Sequence, residues 1–291
     1  MIKITKTESS PLKDMSGLTW YFIGPPKSGK TTNAGKWSSQ GSKLTLLIDT
    51  DKGSDFMVEQ DIIPVISLFP PTVNGTVVPA DQRGYVHRQG SWKGKPMPVY
   101  SMQELMHELW EKRIPDVYET IVIDTIDTVY EWAEQRVKEK YSVEDIGEIG
   151  YGKGWGEAKD IVVELVESLQ NFCKQNTMNL VIISHAKETT MTDGKVQLGP
   201  ELPRGLSKKL TAMSDAIGYA TFDKESGKPT LSFESYDERA IGSRIPQLHN
   251  NVYEFSYDAV IDNKKKESLP EEQLEINHSN NHINNQELIN A

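Results

Sequence analysis

The chain has 291 residues, a formal net charge of −10, 37% hydrophobic and 25% charged residues, and one cysteine, Cys173. That length carries one large domain or two small ones with a sizeable core, while the charge excludes a general positive coat for nucleic acid, though not a local basic groove. A lone cysteine excludes an internal disulfide and fits a reducing compartment; with no apolar run of the ~20 residues a membrane span needs, and no signal-peptide run after Met1, the expected location is cytoplasmic.

Residues 1–17 are polar and aperiodic. Leu18 to Ile23 reads as a short apolar strand running into a Gly-rich loop, and a helix is expected from about Gly29 to Ser39, closed by Gln40-Gly41-Ser42. Lys43 to Ile48 reads as a buried strand ending in Asp49-Thr50-Asp51, and Val65 to Phe69 as a third strand. Residues 70–100 are rich in Pro and Gly, and Asn74-Gly75 between Thr72-Val73 and Thr76-Val77 is a hairpin signal. Arg83 to Lys95 holds four Lys/Arg, one His and no acid, with Tyr85 and Trp92 interleaved. The stretch reads as an inserted arm.

Met102 to Arg113 has helical spacing through Leu105, Leu109 and Trp110. Thr120 to Asp124 is an apolar strand capped by an acid, followed by a helix over about 127–141. Gly147 to Gly156 reads as a Gly-rich loop and Glu157 to Gln175 as a helix. Asn179 to Ile183 is a further buried strand ending in Ser184-His185, and residues 186–205 read as a polar loop. Ala216 to Phe222 and Thr230 to Ser235 suit a hairpin. From 262 to 291 the composition cannot bury a core; this reads as a disordered tail, free to take a partner protein, after one folded domain over 1–261. Strands alternating with helices predict an α/β fold with a mostly parallel sheet and helices on both faces. Ligands of such sheets sit beyond the carboxyl ends of the strands, where every candidate below lies.

Gly24-Pro25-Pro26-Lys27-Ser28-Gly29-Lys30-Thr31 satisfies G-x-x-x-x-G-K-[ST] in full and sits between a strand and a helix, the context that gives the motif its meaning. Glycines let backbone N–H groups turn around phosphates, and the helix adds its positive end. Lys30 reaches the β- and γ-phosphates, and the Thr31 hydroxyl is a hard ligand for Mg²⁺. Thr32 joins the same nucleotide-binding set, with ATP the expected nucleotide. Asp124 is positioned to hold the magnesium shell, with Asp127 the better candidate for helix cap. Asp51 is the candidate to orient and deprotonate the attacking water, with Asp49 its structural partner; both acids merely solvating a loop is the alternative. His185 either touches the γ-phosphate and reports ATP versus ADP, or is satisfied by a nearby carbonyl.

The order of these pieces resembles the RecA/RadA recombinase superfamily, and most closely the phage-encoded RecA-like ATPases of single-strand annealing and recombination. The residues that carry it are the phosphate loop, Leu47–Asp51, Ile121–Thr125 and Ile182–Lys187. The resemblance covers roughly Leu18 to Phe222. It implies a RecA-like P-loop ATPase, in a host cytoplasm if the chain is phage-encoded, with Asp51 activating water, His185 sensing γ-phosphate, and ATP near subunit interfaces of a homo-oligomer. It also implies single-stranded DNA at two loops, about Gly147–Gly156 and Ala186–Gly205. The chain departs from the pattern in Asp for the usual Glu, His for Gln, the 70–100 insertion, and the lack of a recognisable N-terminal polymerisation helix and strand.

On their own residues, Lys153 and Trp155 offer charge and a stacking surface to unpaired bases, and Lys187, Lys195, Arg204, Lys208 and Lys209 offer charge. Glu144, Asp145, Glu148 and Glu157 flank the first loop. Arg83, Arg88, Trp92, Lys93 and Lys95 of the arm are an independent set, balanced by a solvated-hairpin reading. Arg239 and Arg244 suit either an arginine offered across a subunit boundary or surface ion pairs. Two other functions stay open: a small-molecule kinase with the arm as lid, and a non-enzymatic ATP-switched interaction module.

Overall fold

The computed structural model describes residues 15–39, 43–53, 57, 60–88, 93–111, 114–190, 196–235 and 241–263. Gln40–Ser42, Trp92, Lys195, Arg239 and the 264–291 part of the tail lie outside the described residues.

Alternation of apolar side chains drives the sheet. In β1 (Thr19–Gly24), Tyr21 and Ile23 enter one core and Trp20 and Phe22 the other. The short α1 (Lys30–Ala34) leads to β2 (Leu44–Asp49), β3 (Asp61–Ser67), the small hairpin β4 (Thr72–Val73) and β5 (Thr76–Val77), then β6 (Tyr100–Ser101). Next come α2 (Met102–Glu111), α3 (Ile114–Val117), β7 (Tyr118–Asp124), α4 (Ile126–Tyr141) and α5 (Lys153–Gln175). The chain continues through β8 (Asn179–Thr190), β9 (Val196–Pro200), α6 (Arg204–Met213), β10 (Ala216–Phe222) and β11 (Pro229–Ser232). It ends with β12 (Gly242–Ser243), β13 (Val252–Glu254) and α7 (Tyr257–Ile261).

The large sheet runs β13-β11-β10-β1-β8-β7-β2-β3-β6, with β12 on β10 and β9 on β8. Every pair from β10 across to β6 is parallel, and β11, β12 and β13 close one edge antiparallel. Both faces of the central parallel strands β1, β7 and β2 are buried, as such sheets require. One core packs β1, β7 and β8 against α2, α4, α5 and α6. The other is aromatic: Trp20, Phe22, Trp37, Phe233, Tyr253, Phe255 and Tyr257.

Four expectations need correction. The helix after the phosphate loop is five residues long, not eleven as 29–39 would give. A turn at Gly35-Lys36 instead drops Trp37 into the aromatic core, edge-on to Phe22 at 4.7 Å and Trp20 at 5.2 Å. Aromatic packing outweighs the local helical preference.

Gly147–Gly156 is not an open loop. Two 3₁₀ turns cover 146–148 and 150–152, and α5 starts at Lys153. Gly154 is buried, and a Cβ there would sit 2.7 Å from Ile146 and 2.9 Å from Ile149. The glycine admits close packing rather than mobility. Glu157 pairs with Lys140 and accepts from the Tyr141 hydroxyl at 3.0 Å, tying this corner to α4.

Residues 186–190 and 196–200 are strands rather than loop: β8 continues to Thr190 and β9 returns antiparallel to it, pairing Lys187 with Gly199. The period-2 signal is weak there because both strands are polar.

Arg83 is not a free cation of the arm. Its side chain is 2% exposed, holds Glu104 in two bonds of 2.8 and 2.7 Å, and donates to Val78 O and Val99 O. It anchors the arm to α2.

Candidate active site at the strand edge

Parallel register places the site. Gly24 of β1 pairs with His185 of β8, and Asp49 of β2 pairs with Asp124 of β7. Residues from four chain segments therefore end at one edge of the sheet. Gly24 allows that approach, since a Cβ would lie 2.4 Å from Ala220 O. Lys27 and Gly29 take left-handed backbone (φ 64° and 82°), which curls the loop before α1. Pro25, Pro26 and Lys27 are exposed and Ser28 is buried. Thr31 is half-buried and Thr32 exposed.

Lys30 is buried, and its ammonium donates to Gly24 O at 2.9 Å and Pro25 O at 2.8 Å. Burial lowers its pKa, against the opposing pull of Asp124, Asp127 and Asp51. Asp124 is 2% exposed, and burial pushes its carboxyl up to about 7; the Thr31 hydroxyl and Lys30 pull down, and Asp51 and Asp49 push up. Asp124 Oδ1 and Ser28 Oγ are buried with no hydrogen-bond partner.

Asp51 follows β2. Its Oδ1 accepts from Gly53 N–H at 2.8 Å. Desolvation raises its pKa first; the Gly53 bond opposes this and Asp49 adds to it. Asp49 is buried and accepts from Lys52 N–H at 2.8 Å. Thr50 knits the two acid-bearing strand ends together. Its N–H donates to Asp124 O at 2.8 Å, its hydroxyl donates to Thr125 O at 2.8 Å, and it accepts from Thr125 N–H at 2.7 Å.

His185 and Asp127 meet. Asp127 Oδ2 accepts from the His185 N–H at 2.9 Å and lies 3.5 Å from Nδ1, while Oδ1 accepts from the Ser184 hydroxyl at 2.6 Å. The expected cap role of Asp127 is a correction: Thr125 is the N-cap residue of α4, and Asp127 reaches across to β8 instead. No spacing signal marks this, because the partners lie 57 and 58 residues apart. The β10–β11 hairpin overhangs the phosphate loop, and a Cβ on Gly29 would be 3.4 Å from Pro229 and 3.9 Å from Phe222.

The DNA candidates occupy regular structure. Lys153 and Trp155 lie in the first turn of α5. Lys153 Nζ stands 5.5 Å from the Tyr141 ring centroid, and the Trp155 ring packs beside Gly147 while 43% of the residue stays exposed. Lys187 lies on β8, two residues past His185; Arg204 and Lys208 lie on α6. An open groove between α5 and α6 is lined by Lys159, Lys208 and Lys209 but also by Asp160, Glu164 and Glu167. Its charge is mixed, with Lys209 paired to Glu167 at 3.2 Å. Arg244 stands 3.6 Å from Asp215 and donates to Ala212 O, in line with the ion-pair reading.

A phosphate loop between β1 and α1, two acid-ended strands beyond it, and a strand inserted between loop and second acid define a P-loop NTPase fold on a mostly parallel α/β sheet. A family model described as "AAA domain" (AAA_24) matches residues 16–256, and the chain belongs to that family. Among solved structures, one similar chain is the RadB recombinase, at 14% identity and a TM-score of 0.38, covering 75% of this chain and 80% of that one. Curated proteins give no match. Among the described residues no helix is long and apolar enough to cross a membrane.

Proposed function

We propose that this protein binds ATP with Mg²⁺ and hydrolyses it, and that it does so while acting on single-stranded DNA in recombination, annealing or replication of the phage type. The observation that carries the ATPase reading is Asp124 Oδ1, buried without a partner at the strand edge and beside the Thr31 hydroxyl. An orphaned buried carboxylate oxygen is costly unless a ligand completes it. A hydroxyl and a carboxylate are the hard oxygen donors magnesium takes alongside phosphate and water. Thr31 and Asp124 fit that ion. When bound, magnesium supplies positive charge to the phosphate oxygens.

The chain's own groups do the rest. Backbone N–H groups of 24–31 and the Lys30 ammonium hold the phosphates. Asp51 takes a proton from the attacking water as its oxygen bonds to the γ-phosphorus and the bond to the bridging oxygen breaks. Its raised pKa suits a base that must accept that proton. His185, in register with Gly24, touches the γ-phosphate.

The DNA part rests on continuity. β8 carries His185 and then Lys187 into the β8–β9 ribbon, and Glu201 N–H donates back to His185 O at 2.8 Å. A change at the phosphate edge thus has a direct backbone route to this ribbon, and α6 with Arg204 and Lys208 follows it. A homo-oligomer with this edge near a subunit boundary belongs to the same proposal. The kinase reading loses Arg83 as a lid residue, since Arg83 is committed to Glu104.

The test measures phosphate release with and without single-stranded DNA, for the wild type and Lys30→Ala. Turnover stimulated by DNA and abolished in Lys30→Ala is expected. Turnover indifferent to DNA, with no shift of a labelled oligonucleotide at low salt, removes the DNA part; ATP bound without turnover removes the enzymatic part.

A further inference from the structure

We propose that Asp127 is the positioning residue for His185: it fixes the imidazole with Nδ1 toward its carboxylate and so sets Nε2 as the nitrogen that meets the γ-phosphate. The inference rests on the ATPase reading above and adds to it a residue that neither the motif nor the family match assigns.

The geometry is specific. One carboxylate engages two successive residues of β8 through both its oxygens. Oδ1 takes the Ser184 hydroxyl at 2.6 Å, and Oδ2 takes the His185 backbone N–H at 2.9 Å with the ring Nδ1 at 3.5 Å. A helix cap would bond its own first turn; this side chain leaves α4 for the strand that ends beside the phosphate loop. The Asp127 side chain is 13% exposed and the His185 side chain 31%, so the pair is sheltered while the ring keeps solvent access. A carboxylate on one imidazole nitrogen fixes which tautomer the other presents, the arrangement that orients catalytic and metal-binding histidines.

The charges around the ring agree. Asp127 raises the His185 pKa first, burial opposes it, Lys30 lowers it and Asp51 raises it. The Tyr21 hydroxyl lies beneath, close to Ser184, and is neutral. The doubly protonated ring is thereby more favoured than in an ordinary histidine, with Nδ1–H facing Asp127 and Nε2–H left as a donor. A phosphate oxygen accepts only from a protonated nitrogen. Asp127 thus shifts the ring toward the doubly protonated form, the one whose Nε2–H suits phosphate.

The full chain is examined as wild type, Asp127→Asn, Asp127→Glu, His185→Gln and the double variant Asp127→Asn/His185→Gln. Proton–nitrogen correlation spectra of the ring, assigned by the His185→Gln spectrum, are recorded without nucleotide. In wild type, His185 is expected to carry Nδ1–H and to titrate above an ordinary histidine. In Asp127→Asn its titration should fall and its tautomers mix. Equilibrium binding of ATP and ADP with Mg²⁺ is read in parallel. Asp127→Asn should lose about ten- to a hundredfold in ATP-over-ADP preference, the range of one hydrogen bond to a charged group, with ADP affinity kept. Asp127→Glu should restore part of it, and the double variant should be no worse than His185→Gln alone. Thermal unfolding of each variant separates misfolding from loss of positioning.

An unchanged His185 titration and tautomer in folded Asp127→Asn overturns the proposal. So does a preference for ATP that His185→Gln loses and Asp127→Asn keeps. If the spectra change as expected but the wild type never hydrolyses ATP, the ATPase reading falls and the positioning role stands.

Discussion

Replacing Glu104 by Gln should destabilise the fold by about 2 kcal/mol near pH 7, and the loss should vanish in acid. Arg83 is 2% exposed at its side chain and binds Glu104 through two nitrogens at 2.8 and 2.7 Å. Glu104 also accepts from Ser101 N–H and its hydroxyl, both at 2.8 Å. The Arg83 bonds, then those from Ser101, hold its carboxyl down at about 2 against an ordinary 4.5, with burial opposing. That difference of about 2.5 pH units, at about 1.4 kcal/mol each, is worth about 3.5 kcal/mol. With 28% of the Glu104 side chain exposed, solvent screening reduces this to about 2 kcal/mol. Because the folded pKa lies below the unfolded one, the stabilisation is complete above about pH 4.5 and is lost as pH falls through about 2. Urea unfolding of wild type and Glu104→Gln across this range checks it. A difference independent of pH, or none near neutrality, refutes the buried-clamp reading and returns Arg83 to the pool of free basic residues.

Gly24→Ala should abolish nucleotide binding and lower the melting temperature, because the new methyl would sit 2.4 Å from Ala220 O, a backbone atom that cannot swing aside; tryptophan fluorescence with an ATP titration reads both effects. Asp51→Ala should cut turnover about 10²- to 10⁴-fold while leaving ATP affinity within about threefold, as loss of a general base does; equal loss of both would make Asp51 a binding residue instead. Trp37→Ala should cost about 3–5 kcal/mol by opening a cavity in the aromatic core, measured by denaturant unfolding, and a cost under about 1 kcal/mol would contradict the packing described here. Lys208→Ala should weaken single-stranded DNA binding and lower the slope of log affinity against log salt by about 0.7 if it neutralises one phosphate; an unchanged slope would remove it from the interface.

The arm and the corner after α4 show where a linear reading loses its grip. Arg83, Lys93 and Lys95 look alike in a list of charges, yet Arg83 lies on a buried path to Glu104 and Val99, a fact set by how the arm folds back. Glycines at 147–156 suggest a flexible loop, whereas Gly154 lets Ile146 and Ile149 pack on the first turn of α5. In both cases composition is the same for an exposed and a buried solution. Burial, which depends on distant residues, decides between them.

The phosphate loop, the acid-ended strands and the α/β alternation were determined by sequence alone, because each is local. A glycine-rich turn between an apolar strand and a helix, or a run such as Thr120–Asp124, has few other ways to fold. The tertiary structure alone decided which strand ends meet. Inserting β8 between β1 and β7 puts His185 opposite Gly24, and pairing β2 with β7 puts Asp49 opposite Asp124. Asp127 became a partner of His185 only through that arrangement, since hydrogen bonds spanning 57 and 58 residues leave no periodicity to read. Sequence names the groups that can do chemistry at this edge; strand order and register choose which of them touch.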